Sequence, residues 1–119
     1  MALNHIQSGK VIDYTNSGSA DIVSGRVVVI GTLVGVALVD IAVGKTGSVA
    51  IEEVYSLPKV TGAIAQGAKV YWAAAGDPVG GVAGSGALTT TASGNTLAGI
   101  AAIAAASGDA TVALKLNAA

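Results

Sequence analysis

The tripeptide Gly44, Lys45, Thr46 is the point where this 119-residue chain comes nearest to a known chemical device. It matches the tail of a phosphate-binding loop, in which a cradle of backbone N–H groups and a lysine hold the phosphates. That cradle needs a glycine five residues before Gly44, and Val39 stands there. With Gly47 next, GKTG reads as a turn joining two strands. The glycines of residues 80–86 do not spell GxGxxG between a strand and a helix, as a dinucleotide site requires. His5 is the single histidine, so neither a Ser–His–Asp triad nor a multi-histidine metal site can be assembled. It lies in a polar N-terminal stretch, where nothing fixes it as a general base. Glu52 and Glu53 are adjacent, and on a strand they face opposite sides, whereas paired carboxylate catalysis needs both on one substrate. Asp13, Asp21, Asp40, Asp77 and Asp109 stand mostly next to turns, where aspartate hydrogen-bonds its own backbone. Tyr14, Tyr55, Tyr71 and Trp72 are too dispersed to form a base-stacking platform. Cysteine is absent, which removes disulfides, a thiolate nucleophile and zinc knuckles. The expectation is therefore no catalytic residue, no cofactor and no metal.

Composition points to contact rather than reaction. Charged residues are 11% of the chain, against about 25% in an average soluble domain. A surface so poor in charge is either covered in part by partners or made polar by Ser, Thr and Gly; partner burial is the favoured reading. A net charge of −1 gives no electrostatic footprint for nucleic acid. Residues 27–39 (VVVIGTLVGVALV) carry Gly31 and Gly35 at the spacing of packed membrane helices. As a helix, however, the run would rise only about 20 Å against a hydrocarbon core of roughly 30 Å. Its valines and glycines favour strand–turn–strand. The apolar run 97–106 is shorter still, so no membrane partner is expected. Residues 1–10 lack the charged and apolar regions of a signal peptide. The length suits one domain, large enough for a core without staples, and the lack of cysteine fits a reducing cytosol.

Glycine punctuates the chain, with 17 residues spread between short Val-rich runs. The pattern predicts an all-β fold, a single small β-sandwich or barrel-like domain over residues 10–119 with a flexible N-terminal arm, residues 1–9. Strands are expected near residues 10–14, 26–30, 35–39, 48–55, 69–73, 87–91, 97–105 and 111–116. The last alternates well, with Val112, Leu114 and Leu116 on one face. Pro58 marks a strand edge or crossover, and Asp77-Pro78 a turn. Residues 79–86 look the most flexible. In the Ala-rich segment 97–105 a helix competes, and the neighbouring pattern favours a strand. The arm is either a frayed terminus or a segment that orders against a partner, for example by adding a strand to an exposed edge.

The block of residues 40–73 resembles a family of tailed-phage head proteins, the capsid cement or decoration proteins with a DUF2190-type domain. Its pattern is carried here by Asp40, Ile41, Ala42, Gly44, Gly47 and Val49, by Leu57, Pro58 and Lys59, and by Gly67, Val70, Tyr71 and Trp72. Upstream, Tyr14, Thr15 and Asn16, then Ile22 to Gly25, then Val28, Gly31 and Gly35 are also similar. Ala98, Gly99, Ile100, Gly108, Asp109 and the run 112–116 fit the closing strands. One departure is the run Glu52, Glu53, Val54, Tyr55, where a small or aromatic residue is expected. Relatives have sometimes been labelled recombinase-like, and the missing P-loop glycine argues against carrying that over.

The resemblance implies a non-enzymatic structural virion protein on the outer capsid surface, made in the bacterial host cytoplasm. Its implied partners are the major capsid protein and further copies of itself, a trimer being favoured over a dimer. The implied task is to stabilise the shell against internal DNA pressure. An alternative is a head-fibre or receptor- or carbohydrate-binding module, which usually shows an aromatic platform that this chain lacks. A third reading, an enzyme of nucleic-acid metabolism, would show ATP hydrolysis or DNA retention, and neither is expected. The expected capsid or oligomer contacts are Ala2, Leu3, Asn4, His5, Ile6, Gln7, Ser8 and Gly9 of the arm, together with Trp72. Tyr71 and Trp72 alternate faces, so at most one is deep core; Trp72 reads first as core, because large aromatics dominate small cores.

Overall fold

A computed structural model describes residues 9–118. The Val-rich runs form nine strands: β1 Val11–Thr15, β2 Val27–Ile30, β3 Leu33–Ala37, β4 Thr46–Ala50, β5 Val54–Pro58, β6 Lys69–Ala73, β7 Ala87–Thr89, β8 Thr96–Ala101 and β9 Thr111–Leu116. Branched and aromatic side chains, as in VVVI of β2 and KVYWA of β6, suit a pleated, half-buried surface. The strands make two antiparallel sheets, one ordered β1-β4-β3-β2 and one ordered β5-β9-β8-β6-β7. Among the described residues there is no helix, and the all-β, sandwich-like architecture is the expected one. Residues 27–37 of the apolar run form the β2–β3 hairpin, with Val28 opposite Gly35, so the strand expected at 35–39 lies two residues earlier and Leu38 and Val39 fall in the loop that follows. Strands β6 and β9 fall on their expected residues, while the expected strand 97–105 ends at Ala101 and continues as turns.

The run 48–55 requires correction: it is two strands in different sheets, β4 and β5. Between them Glu53 adopts φ 79°, a left-handed conformation uncommon outside glycine. There its carbonyl accepts the Leu116 N–H at 3.0 Å, while Ile51 N–H donates to the Lys10 carbonyl at 3.0 Å. The chain stays nearly extended while it changes sheets, so side-chain alternation does not register the break. Glu52 and Glu53 therefore lie in an exposed crossover, not on the two faces of a strand.

Strand β3 is covered on both sides. Val34 and Val36 join the main core with Leu57, Val70, Leu88, Leu114 and Leu116 of the second sheet. Ala37 joins a smaller core with Val28, Ile41 and Val49, against which Tyr14, Ile22 and Ile51 pack. Burying one such leucine contributes roughly 1.5–3 kcal/mol. Asn117, at φ 57° just past β9, ties the sheets together. Its Oδ1 accepts the Val34 N–H at 3.1 Å, and its Nδ2 donates to the Val34 and Ile51 carbonyls at 2.9 and 2.6 Å.

The two sheets are copies of one design. In each, the strands lie side by side as first, fourth, third, second, so that β1, β2, β3 and β4 correspond to β5, β6, β8 and β9, with β7 as an addition. Ile22 and Ile41 form an isolated antiparallel bridge in the first half, and Ile64 and Ala105 form its equivalent in the second. Each of these four residues is followed by a four-residue turn with glycine at its third position, closed by Arg26 N–H to Val23 O, Lys45 N–H to Ala42 O, Ala68 N–H to Ala65 O and Asp109 N–H to Ala106 O; the first three glycines are left-handed and Gly108 is not. Gly25 and Gly44 hold φ of 90° and 80° at the third turn position, as a type II turn demands. Gly35 pairs opposite Val28, and Gly99 opposite Val70.

The correspondence extends to the only two buried polar side chains among the described residues, Asn16 and Lys59. Each lies one residue past its first strand. Each donates its backbone N–H to the carbonyl just before the fourth strand, Lys45 at 2.9 Å and Ala110 at 3.2 Å. The second half also curls toward closure: Lys59 bridges Leu88 of β7 in parallel, and Val60 N–H donates to Leu88 O at 3.0 Å.

Candidate binding surfaces

The residues with chemical potential serve the turns. Thr46 opens β4, so Gly44 and Lys45 belong to the turn that precedes a strand, not to a phosphate cradle before a helix. Asp21 Oδ1 accepts the Val43 N–H at 2.9 Å and Asp40 Oδ1 the Ser24 N–H at 2.8 Å. Asp77 Oδ1 takes the Gly84 N–H at 2.7 Å, and Asp109 Oδ2 the Ala106 N–H at 2.8 Å. Asp13 sits on β1 opposite Ser48. Among the described residues no group of His, Cys, Asp and Glu is placed to hold a metal ion. His5 and the rest of the arm from Ala2 to Ser8 lie outside the described residues, and Gly9 is exposed just before β1.

Sequence reasoning gave Lys59 no role beyond its place in the resemblance. It is fully buried. Its Nζ donates to the carbonyls of Ala106, Ser107 and Asp109 at 3.0, 3.2 and 3.4 Å. The ammonium thus fills the ring of carbonyls left by the tight turn before β9. Asn16 ties its own loop to the paired one with an amide, donating Nδ2 to Ala20 O at 2.9 Å and Ile41 O at 3.0 Å. A lysine directly after a proline that ends a strand was the available signal.

Trp72 and its neighbour Tyr71 are both half-buried, so neither is deep core. Trp72 packs against the main core from its edge. A Cβ on Gly86 would collide with its ring, which explains the glycine. The ring helps line an open groove of about 400 Å³ together with Arg26, Pro58, Pro78, Val82 and Thr111. A second depression of about 480 Å³, at Gly31 to Leu33, Asn95 to Leu97 and Asn117, carries no charged side chain. Several large apolar side chains face solvent elsewhere: Val23, Leu38, Val39 and Val43 in the paired loops before β2 and β4, and Ile103 in the corresponding loop before β9.

Two packed antiparallel sheets, carboxylates engaged by turn amides and apolar side chains held outward define a small all-β structural domain. The chain belongs to the phage cement protein family, whose model matches residues 6–116. It is a capsid-associated structural protein of a bacteriophage, in a family that is in general not enzymatic, and its place is the capsid surface of the virion. Comparison with curated proteins and with solved structures gives no match.

Proposed function

We propose that the protein binds the outer face of the major capsid protein shell as a homo-oligomer, a trimer in preference to a dimer, and stabilises the shell against the pressure of packaged DNA. It is made in the host cytoplasm and catalyses no reaction. The family match across residues 6–116 carries this reading. The low charge of 11% and the exposed valines support it. An oligomer that engages several shell subunits at once multiplies weak contacts through effective concentration. Within this reading residues 1–9 are an arm that orders against the shell or a neighbouring copy, residues 10–119 are the cement domain, and Trp72 lies near an interface.

Purified protein is expected to co-sediment with expanded heads that lack it and to raise the temperature at which those heads release DNA. Absence of binding, with equal resistance of the two kinds of head to heat and EDTA, sinks the reading. Removing residues 2–9 is expected to weaken attachment by about tenfold or more, the scale of one lost strand-like contact, while the domain's melting temperature holds. Undiminished attachment would exclude the arm.

A further inference from the structure

We propose that the duplicated loop ends of the two sheets form the shell-facing surface, one tip on each of two equivalent sites of adjacent shell subunits. This rests on the capsid reading and names the surface that serves it. The first tip comprises the paired loops around Ile22 and Ile41, the second those around Ile64 and Ala105. Both lie at one end of the molecule. Gly25, Arg26 and Val27, leaving the first tip, line the same groove as Pro58, Ala110 and Thr111 at the second.

Turn tips of a soluble domain are ordinarily polar, yet Val23, Val39 and Val43 here are 55%, 47% and 47% exposed. Ile103, which follows Gly99 as Val39 follows Gly35, is 64% exposed. Contiguous exposed apolar side chains mark interaction sites. The frames beneath them are pinned. Ile22 and Ile41 exchange two backbone bonds of 2.9 and 2.8 Å, as do Ile64 and Ala105. Asp21 and Asp40 brace the first tip from within, and Gln66 Nε2 donates to Ala102 O at 3.1 Å in the second. Branched side chains on fixed loops have little freedom left to lose on docking.

The occupant follows from the repetition. One chain that presents the same paired-loop frame twice at one end, topped by Val23, Val39 and Val43 in one copy and by Ile103 beside Ala65 and Ser107 in the other, fits a partner that presents its own site repeatedly, and a shell of identical subunits does so. Two tips on neighbouring subunits bridge the seam between them, and the second contact forms at high effective concentration.

The test uses the full-length protein and heads of the encoding phage assembled without it. Val39→Glu with Val43→Glu disables the first tip, Ile103→Glu the second, and Val54→Glu, an exposed valine on β5, is the control. Circular dichroism melts verify folding. Each tip variant is expected to lose about tenfold or more in affinity and the combined variant on the order of a hundredfold, as for a bivalent contact; the control binds as wild type. Wild-type attachment with undiminished attachment of the tip variants overturns this surface while leaving the capsid reading intact. A loss confined to one tip overturns the two-site arrangement. Variants that no longer self-associate without heads would make the tips an interface between copies instead. Failure of the wild-type protein to attach removes the capsid reading, and this surface with it.

Discussion

Replacing Gly99 by alanine is expected to lower the melting temperature by more than about 10 °C, or to prevent folding. Gly99 holds φ 153° in the middle of β8, a backbone conformation that side chains other than hydrogen rarely adopt. A Cβ there would overlap the carbonyl oxygen of Lys115 on β9 and lie 3.1 Å from the Asn117 nitrogen. Those atoms are backbone and cannot rotate away. Relief requires β8 and β9 to separate, which disturbs Leu114, Leu116 and the Asn117 clamp together. Conformational strain of about 1 kcal/mol and overpacking of about 1–3 kcal/mol sum to about 3 kcal/mol, and each kcal/mol shifts melting by roughly 4 °C at this size. Gly44→Ala is the matched control. Its φ is 80°, but a Cβ would meet nothing within 4 Å, so it carries the strain alone, about 1 kcal/mol. Thermal melts that place the two variants together would refute the close approach of β8 to β9.

Lys59→Met carries the other large effect. Methionine keeps most of the buried stem and removes the three donors. The carbonyls of Ala106, Ser107 and Asp109 then lose a charge-assisted partner, and a hydrogen bond to a charged group contributes about 1.5–3 kcal/mol. Since those residues are otherwise near solvent, water recovers part of the loss, and a net destabilisation of about 3 kcal/mol is expected. Denaturant unfolding measures it. Amide exchange should accelerate first at residues 105–110, because that turn loses its internal brace. A Lys59→Met protein as stable as wild type, with unchanged exchange there, would show that the buried ammonium is not what holds the turn.

Much of the fold was legible because its signals are local. Val, Tyr and Trp runs between glycines gave β6 and β9 at their observed bounds, and Gly31 within the apolar run separated β2 from β3. The crossover at Glu53 was hidden because an extended chain that changes sheets looks like a continuing strand. The duplication was hidden for a different reason. What the halves share is sparse: an apolar residue, two others and a glycine before a strand, then one glycine mid-strand. The added β7 and the turns around it break the period between β6 and β8.

The surface was legible only in outline. Low charge announced contact, yet no local signal marks Val23, Val39 and Val43 as surface residues: it is the backbone pairing of their loops that holds them outward. Lys59 shows the converse. A lone lysine in a charge-poor chain reads as surface, and only the ring of carbonyls before β9 makes a buried place for it. The expectation of no catalytic chemistry has firmer ground in the sequence, because each motif lacks a partner that its mechanism requires.

The central claim, that this domain is a fixed part of a phage shell, is tested most directly by cryo-electron microscopy of heads from the encoding phage. The account predicts density on the outer face of the shell that fits two packed antiparallel sheets of four and five strands, repeated with the shell's symmetry. An outer face without that density, in heads whose protein content includes this chain, would contradict it.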